Sequence, residues 1–148
     1  MAKIKVISGF PGSGKTTHIN KNKSSNDLIF DYDEIASVIA LQDKHVDNTS
    51  VHPYLIDILE NMIKRAKNDK NVEVFWIIRT VPDNLFRNML RGADAEYYFI
   101  NKTISECLEQ IGNDPERINS NKTWYALLMD IEREYMKGVC NDCIFIND

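Results

Sequence analysis

The sequence is short of several things, and each shortage removes a class of answers. It has three cysteines, an odd number that makes no secreted disulfide framework. No apolar run approaches the 18 or more residues of a membrane helix, so no membrane partner is expected. The N-terminus enters a β-favouring run directly and does not read as a signal peptide, which points to the cytoplasm. Basic residues do not dominate: the net charge is −4, which gives no sign of a broad nucleic-acid surface and leaves only a local patch open. Repeats and low-complexity segments are missing as well. The 148 residues, 43% hydrophobic and 27% charged, suit one domain spanning 1–148 with a single sizeable core.

Glycine is scarce too, six in all, yet three of the six fall at 9, 12 and 14. They lie in Gly-Phe-Pro-Gly-Ser-Gly-Lys-Thr-Thr, residues 9–17, which fits G-x-x-x-x-G-K-[ST] through Gly9, Gly14, Lys15 and Thr16. Ile4, Val6 and Ile7 form a short strand ahead of it, and a helix can start behind it. Glycines let the backbone turn its N–H groups onto phosphate oxygens, and the positive end of the next helix favours the same anion. Lys15 is expected to reach the β and γ phosphates and Thr16 to offer a hydroxyl to Mg²⁺. The candidate nucleotide-binding set is Gly9, Pro11, Gly12, Ser13, Gly14, Lys15, Thr16 and Thr17. The plain alternative is a Gly-rich turn that holds an anion without turnover.

Along the chain, strands are expected near 4–7, 28–30, 72–78, 96–100 and 143–146. Helices are expected over 15–22, 35–41, a long stretch opened by Pro53, 82–91, a segment capped by Thr103 or Ser105 and ending at Ile111, and 123–136. The alternation predicts an α/β fold of three layers around a mainly parallel sheet of about five strands. Ligands in such sheets sit at the carboxyl ends of strands. Gly9–Thr16, Asp31–Asp33, Arg79–Thr80 and Asn101–Thr103 should therefore converge on one cleft. Lys64, Arg65, Lys67 and Lys70 near the end of the long helix read as favourable placement against its dipole.

Outside the loop the candidates have two readings each. Asp31 and Asp33 project to one side if strand geometry continues through them. One would then influence Mg²⁺ while the other takes a proton from a substrate hydroxyl; helix capping explains the same residues equally well. Arg79 closes the most hydrophobic strand, where it either meets a substrate phosphate or forms a structural ion pair. That strand ends without an acidic residue, which weighs against motor ATPases. Arg117 and Lys122, among Asn113, Asn119, Ser120 and Asn121, read as a basic lid or as a solvated loop. Cys140 and Cys143 read as reduced thiols rather than a zinc or redox pair, because no partner pair exists.

The loop, followed by Ile29-Phe30-Asp31-Tyr32-Asp33, resembles the small P-loop kinases. The likeness is nearest to the polynucleotide 5′-kinase and zeta-toxin-like group and to small phage-encoded ATP-binding proteins grouped with them. It implies a kinase-like P-loop fold with a short lid, ATP and Mg²⁺ as cofactors, and host cytoplasm as the location of a phage-encoded member. By the same likeness Lys15 and Thr16 serve the phosphates and metal, Asp33 activates an acceptor hydroxyl, Asp31 supports Mg²⁺, and Arg117 is a lid arginine. Two positions depart from the pattern. Ala36 stands where polynucleotide kinases place a phosphate-holding arginine, and Glu109-Gln110 stands where the lid often has another. The expected function is phosphoryl transfer from ATP to a hydroxyl of a small molecule, nucleoside, nucleotide or nucleic-acid end. The alternative is an ATP-binding or ATP-hydrolysing switch acting through a partner.

Overall fold

A computed structural model describes residues 1–120 and 122–147; Asn121, named above in the lid segment, lies outside the described residues. Five strands form one sheet: β1 (Lys3–Ser8), β2 (Leu28–Phe30), β3 (Val74–Ile78), β4 (Ala95–Ile100) and β5 (Ile144–Ile146). Their order is β2-β3-β1-β4-β5, and every pairing is parallel. The mainly parallel five-stranded sheet expected from the sequence is therefore present. Val6, at the centre, stands opposite Ile77 on one side and Tyr97 on the other.

Parallel strands need crossovers, and the crossovers lay helices on both faces, so each strand must be apolar on both sides. The strands meet that demand by alternation. Ile4, Val6, Phe30, Phe75 and Ile77 enter one core with Leu55, Leu59 and Ile63 of α3 (His52–Ala66) and Phe86 of α4 (Asn84–Met89). Ile7, Trp76 and Ile100 enter the opposite core with Ile19 of α1 (Lys15–Asn22). Fully burying one such side chain contributes about 1.5–3 kcal/mol.

Several boundaries differ from expectation, each for a local reason. Helix α2 covers Tyr32–Ala40 and starts three residues early, because the Asp31 side chain caps it by accepting from the Asp33 amide. The geometry of β2 therefore stops at Phe30, and Asp33 sits in a helical first turn instead of on an extended strand. Helix α4 is shorter than expected, because Asp83 and not Pro82 opens it, accepting from the Phe86 amide at 2.9 Å. Strand β3 starts at Val74, because the Asp69 carboxylate holds the amides of Asn71 and Val72 in a turn. Helix α5 (Ile104–Gly112) opens with a capping box between Thr103 and Glu106. The polar 113–122 stretch is not all loop: it contains α6 (Pro115–Ile118), capped by Asp114 with Pro115 in the first turn. Helix α7 spans Trp124–Met136. Among the described residues, no helix is long and apolar enough to cross a membrane.

Candidate functional site

The loop of residues 9–14 leaves the carboxyl end of β1 at the middle of the sheet. Gly14 takes φ +95 as the residue before α1, and a Cβ there would meet nothing within 4 Å, so the loop faces open space at that point. Gly12 is constrained from the other side: a Cβ would lie 2.7 Å from the Cys107 carbonyl oxygen and 2.9 Å from Ile111 Cγ1. Close approach of the loop to α5 therefore requires glycine.

Lys15 is only 9% exposed. Its ammonium donates to the carbonyls of Gly9 at 2.6 Å and Phe10 at 3.1 Å, with Thr80 Oγ1 at 3.5 Å. Burial, and next the charge of Arg117, pull its pKa down to about 7. Ser13 Oγ is buried with no hydrogen-bond partner among the described residues. Thr16 and Thr17 are exposed at the start of α1.

Across the cleft, Asp31 and Asp33 sit at the end of β2 and the start of α2 and differ in charge preference. Burial, and then the neighbouring Asp33 charge, raise the Asp31 pKa. Partial burial also raises that of Asp33, but the hydrogen bond and charge of His45, with Lys122 and Arg117 beyond, outweigh it and hold the carboxyl below its ordinary range. His45 Nδ1 lies 3.2 Å from Asp33 Oδ2. Tyr32 Oη pairs with His52 Nδ1 at 3.0 Å, and Lys44 with Glu34 at 2.8 Å.

The third wall comes from α6 and the start of α7. Arg117 Nε is 3.2 Å from Asp114, its guanidinium stands 5.3 Å from the Trp124 ring, and its carbonyl accepts from Trp124 Nε1 at 2.9 Å. Its Nη1 is buried and has no hydrogen-bond partner among the described residues. Lys122 pairs with Asp47 at 3.0 Å. Arg79 donates through Nε to the Val81 carbonyl at 3.2 Å, lies 3.8 Å from Asp83 and stacks 5.1 Å from the Phe86 ring, while still lining the cleft.

One cleft of about 1220 Å³ collects Pro11 to Thr17, Asp31, Asp33, Arg79, Thr80, Arg117 and Lys122. Of the 101–103 group only Lys102 lines it; Asn101 bonds Asn147, and Thr103 caps α5. Cys140 and Cys143 are buried free thiols against Phe99, away from the cleft. Among the described residues no three metal-ligating side chains gather. His45 and Trp124, which join Asp33 to Arg117, were not foreseen: His45 lies in a polar stretch that reads as a plain loop, and no spacing links it to Asp33.

No family model matches the sequence, and no curated protein matches it. Solved structures do. The chain is similar to a protein in the structure of the Pnkp1/Rnl/Hen1 RNA repair complex, with a TM-score of 0.70 and 17% identity over 92% of this chain. It spans only 46% of that protein. It is similar to the tunicamycin resistance protein of Deinococcus radiodurans, with a TM-score of 0.63 and 14% identity over 99% of this chain and 86% of the other. A shikimate kinase from Acinetobacter baumannii, solved in complex with shikimate, gives a TM-score of 0.63 and 12% identity over 100% of this chain and 84% of the other. Sequence identities this low speak for architecture: the chain has the fold of the small P-loop kinases.

Proposed function

We propose that the chain is an ATP- and Mg²⁺-dependent phosphotransferase acting on a hydroxyl acceptor. The observation that carries this reading is the meeting of Lys15 and Arg117 in one cleft with buried polar atoms left unpaired beside them. Lys15 and Arg117 lie close enough that one depresses the other's pKa, and Arg117 Nη1 and Ser13 Oγ have no partner among the described residues. Buried polar groups of this kind are costly unless a ligand completes them. An oligophosphate supplies the missing acceptors and brings negative charge to both cations.

The donor set suits the metal as well. Thr16 and Asp31 are hard oxygen ligands, and the raised pKa of Asp31 marks a carboxyl that a divalent cation would relieve. When bound, Mg²⁺ supplies charge neutralisation at the phosphates. Lys15 and the amides of Gly12 to Thr16 then hold the donor. Arg117 stabilises charge on the moving group. Asp33, ionised at neutral pH, accepts the acceptor's hydroxyl proton as the new O–P bond forms, the bond to the β-phosphate oxygen breaks and ADP leaves. Exclusion of water falls to α6 and Trp124.

The acceptor side favours no single substrate. Ala36 is 5% exposed and packed in the core, so no side chain at that position reaches a substrate phosphate. That feature supports a second reading, a nucleotide switch whose hydrolysis a partner stimulates. Transfer from γ-labelled ATP should be measured to a 5′-hydroxyl oligonucleotide, a nucleoside, shikimate and water. Acceptor-dependent ADP release, lost about 10²–10⁴-fold in Asp33→Asn with nucleotide affinity kept, is expected. Release indifferent to every acceptor and to Asp33→Asn would favour the switch.

A further inference from the structure

The 42–48 segment carries a feature that phosphoryl transfer alone does not explain. His45 takes φ +67, a left-handed conformation uncommon for a residue with a side chain. Bonds that do not involve its ring hold the turn: Gln42 N donates to the Ser37 carbonyl at 3.1 Å, Gln42 Nε2 to the Val46 carbonyl at 2.8 Å, and Asn48 Nδ2 to Gln42 Oε1 at 3.2 Å. The neighbours thus fix the backbone, and the backbone delivers the ring. The ring itself is 7% exposed, with Nδ1 3.2 Å from Asp33 Oδ2 and its plane edge-on to Trp124 at 5.7 Å and 83°.

A buried histidine needs a partner for its ring N–H, and a backbone carbonyl or a carboxylate is the usual one. Here the partner is a carboxylate 48% exposed on the cleft wall. Trp124 continues the chain of contacts, donating to the Arg117 carbonyl at 2.9 Å and lying 5.3 Å from its guanidinium. One aromatic ring therefore touches both the histidine beside Asp33 and the arginine facing Lys15.

We infer that His45 is a positioning residue for Asp33: its Nδ1–H holds one carboxylate oxygen and fixes the rotation of the group, leaving the other oxygen for the acceptor's proton. This rests on the phosphotransfer reading above. Through Trp124 the same ring ties the orientation of Asp33 to the seat of Arg117, so the acceptor and donor sides are aligned by one packed unit.

The test uses the full chain with Mg²⁺ and ATP, and the acceptor giving fastest transfer in the panel above, or water where none accepts. His45→Asn keeps an N–H donor and a residue tolerant of left-handed φ. His45→Leu keeps volume and loses the donor. The expected result is a kcat loss of about 10–100-fold for His45→Leu with KM for ATP within about twofold, and recovery of most of that loss in His45→Asn. Wild-type kcat in His45→Leu, or a change confined to KM, overturns the inference. Should His45→Leu not fold, the ring-nitrogen NMR signals of the wild type, assigned by their disappearance in His45→Asn, decide: Nδ1 carries a proton if the inference holds, and a bare Nδ1 sinks it. The two failures separate cleanly. A wild-type chain that turns over no ATP strikes down the phosphotransfer reading, whereas His45→Leu matching wild type while Asp33→Asn is inactive strikes down only the role of His45.

Discussion

Lys15 Nζ donates to the Gly9 carbonyl at 2.6 Å, so the lysine that ends the loop is folded back onto the glycine that begins it. Desolvation there outweighs the bonds, since the ammonium titrates at about 7 instead of 10.5. In the unfolded chain the lysine returns to its ordinary value, so between pH 7 and about 10 the unfolded state binds more protons. Stability of the free protein should therefore rise with pH across that window. Lys15→Met should remove the slope and stabilise the free protein at pH 7, by less than the pKa shift alone implies because the Gly9 and Phe10 carbonyls lose their donor. Chemical unfolding at several pH values measures both, and a flat wild-type profile would sink the argument.

The same lysine predicts a proton taken up with nucleotide. Phosphate charge returns its pKa towards the ordinary range, so binding at pH 7 should take up about half a proton, approaching one near pH 8.5. Calorimetry with ATP in buffers of different ionisation heat reads the number directly. Uptake that is absent or reversed would show that Lys15 is already charged in the free protein.

The strands and the loop were legible because their signals are local. Residues 74–78 are apolar on both faces, as a buried parallel strand must be, and the glycine spacing of 9, 12 and 14 has few other uses. Asp31-Tyr32-Asp33-Glu34 was ambiguous because strand end and helix cap draw on the same residue types; the cap formed, and α2 began early. Helix α6 hid in a polar stretch because one turn buries almost nothing and leaves no periodicity to read. His45 could not be read at all. Its φ of +67 is set by Gln42 and Asn48, and its partner lies twelve positions back on another element.

Gly12→Ala should be costly although alanine is the smallest change available. At φ +80 the new Cβ would strike the Cys107 carbonyl at 2.7 Å and Ile111 at 2.9 Å, and a carbonyl inside α5 has little room to yield. A loss of about 1–3 kcal/mol is expected, with weaker nucleotide binding as the loop moves off α5. Gly14→Ala makes the control: its Cβ would meet no neighbour, so only backbone strain at φ +95 is felt. Thermal unfolding of the two variants should rank Gly12→Ala as the less stable.

Asp27 anchors the edge of the sheet. It accepts from the Trp76 indole at 2.9 Å, the Val74 amide at 3.1 Å and the Ser24 amide at 2.9 Å. Slight burial raises its pKa, but these donors outweigh it and hold the carboxyl below its ordinary value. A depressed carboxyl contributes stability that is present above the unfolded pKa near 4 and lost as pH falls through the lower folded value. Asp27→Ala should cost about 1–3 kcal/mol at pH 7, because the Trp76 N–H loses its acceptor in a side chain 3% exposed. The difference from wild type should shrink below pH 4, and unfolding midpoints at pH 3 and pH 7 check it.

Arg117 should matter twice, once to turnover and once to Lys15. Its Nη1 has no partner among the described residues, while Nε is held by Asp114 and the plane rests on Trp124, so the fork is pre-set for an anion. Arg117→Ala should lower kcat for ATP turnover by about 10²-fold, the usual loss when one buried donor to a developing charge is removed. It should also let the Lys15 pKa climb, because that positive charge is the largest depressing influence after burial. Proton uptake on ATP binding at pH 7 should then fall below the wild-type value. Arg117→Lys separates the two effects: the charge remains and uptake stays near wild type, but the fork is gone and turnover stays low. Equal recovery of both in Arg117→Lys would mean that charge alone, without the geometry of the guanidinium, is what the site uses.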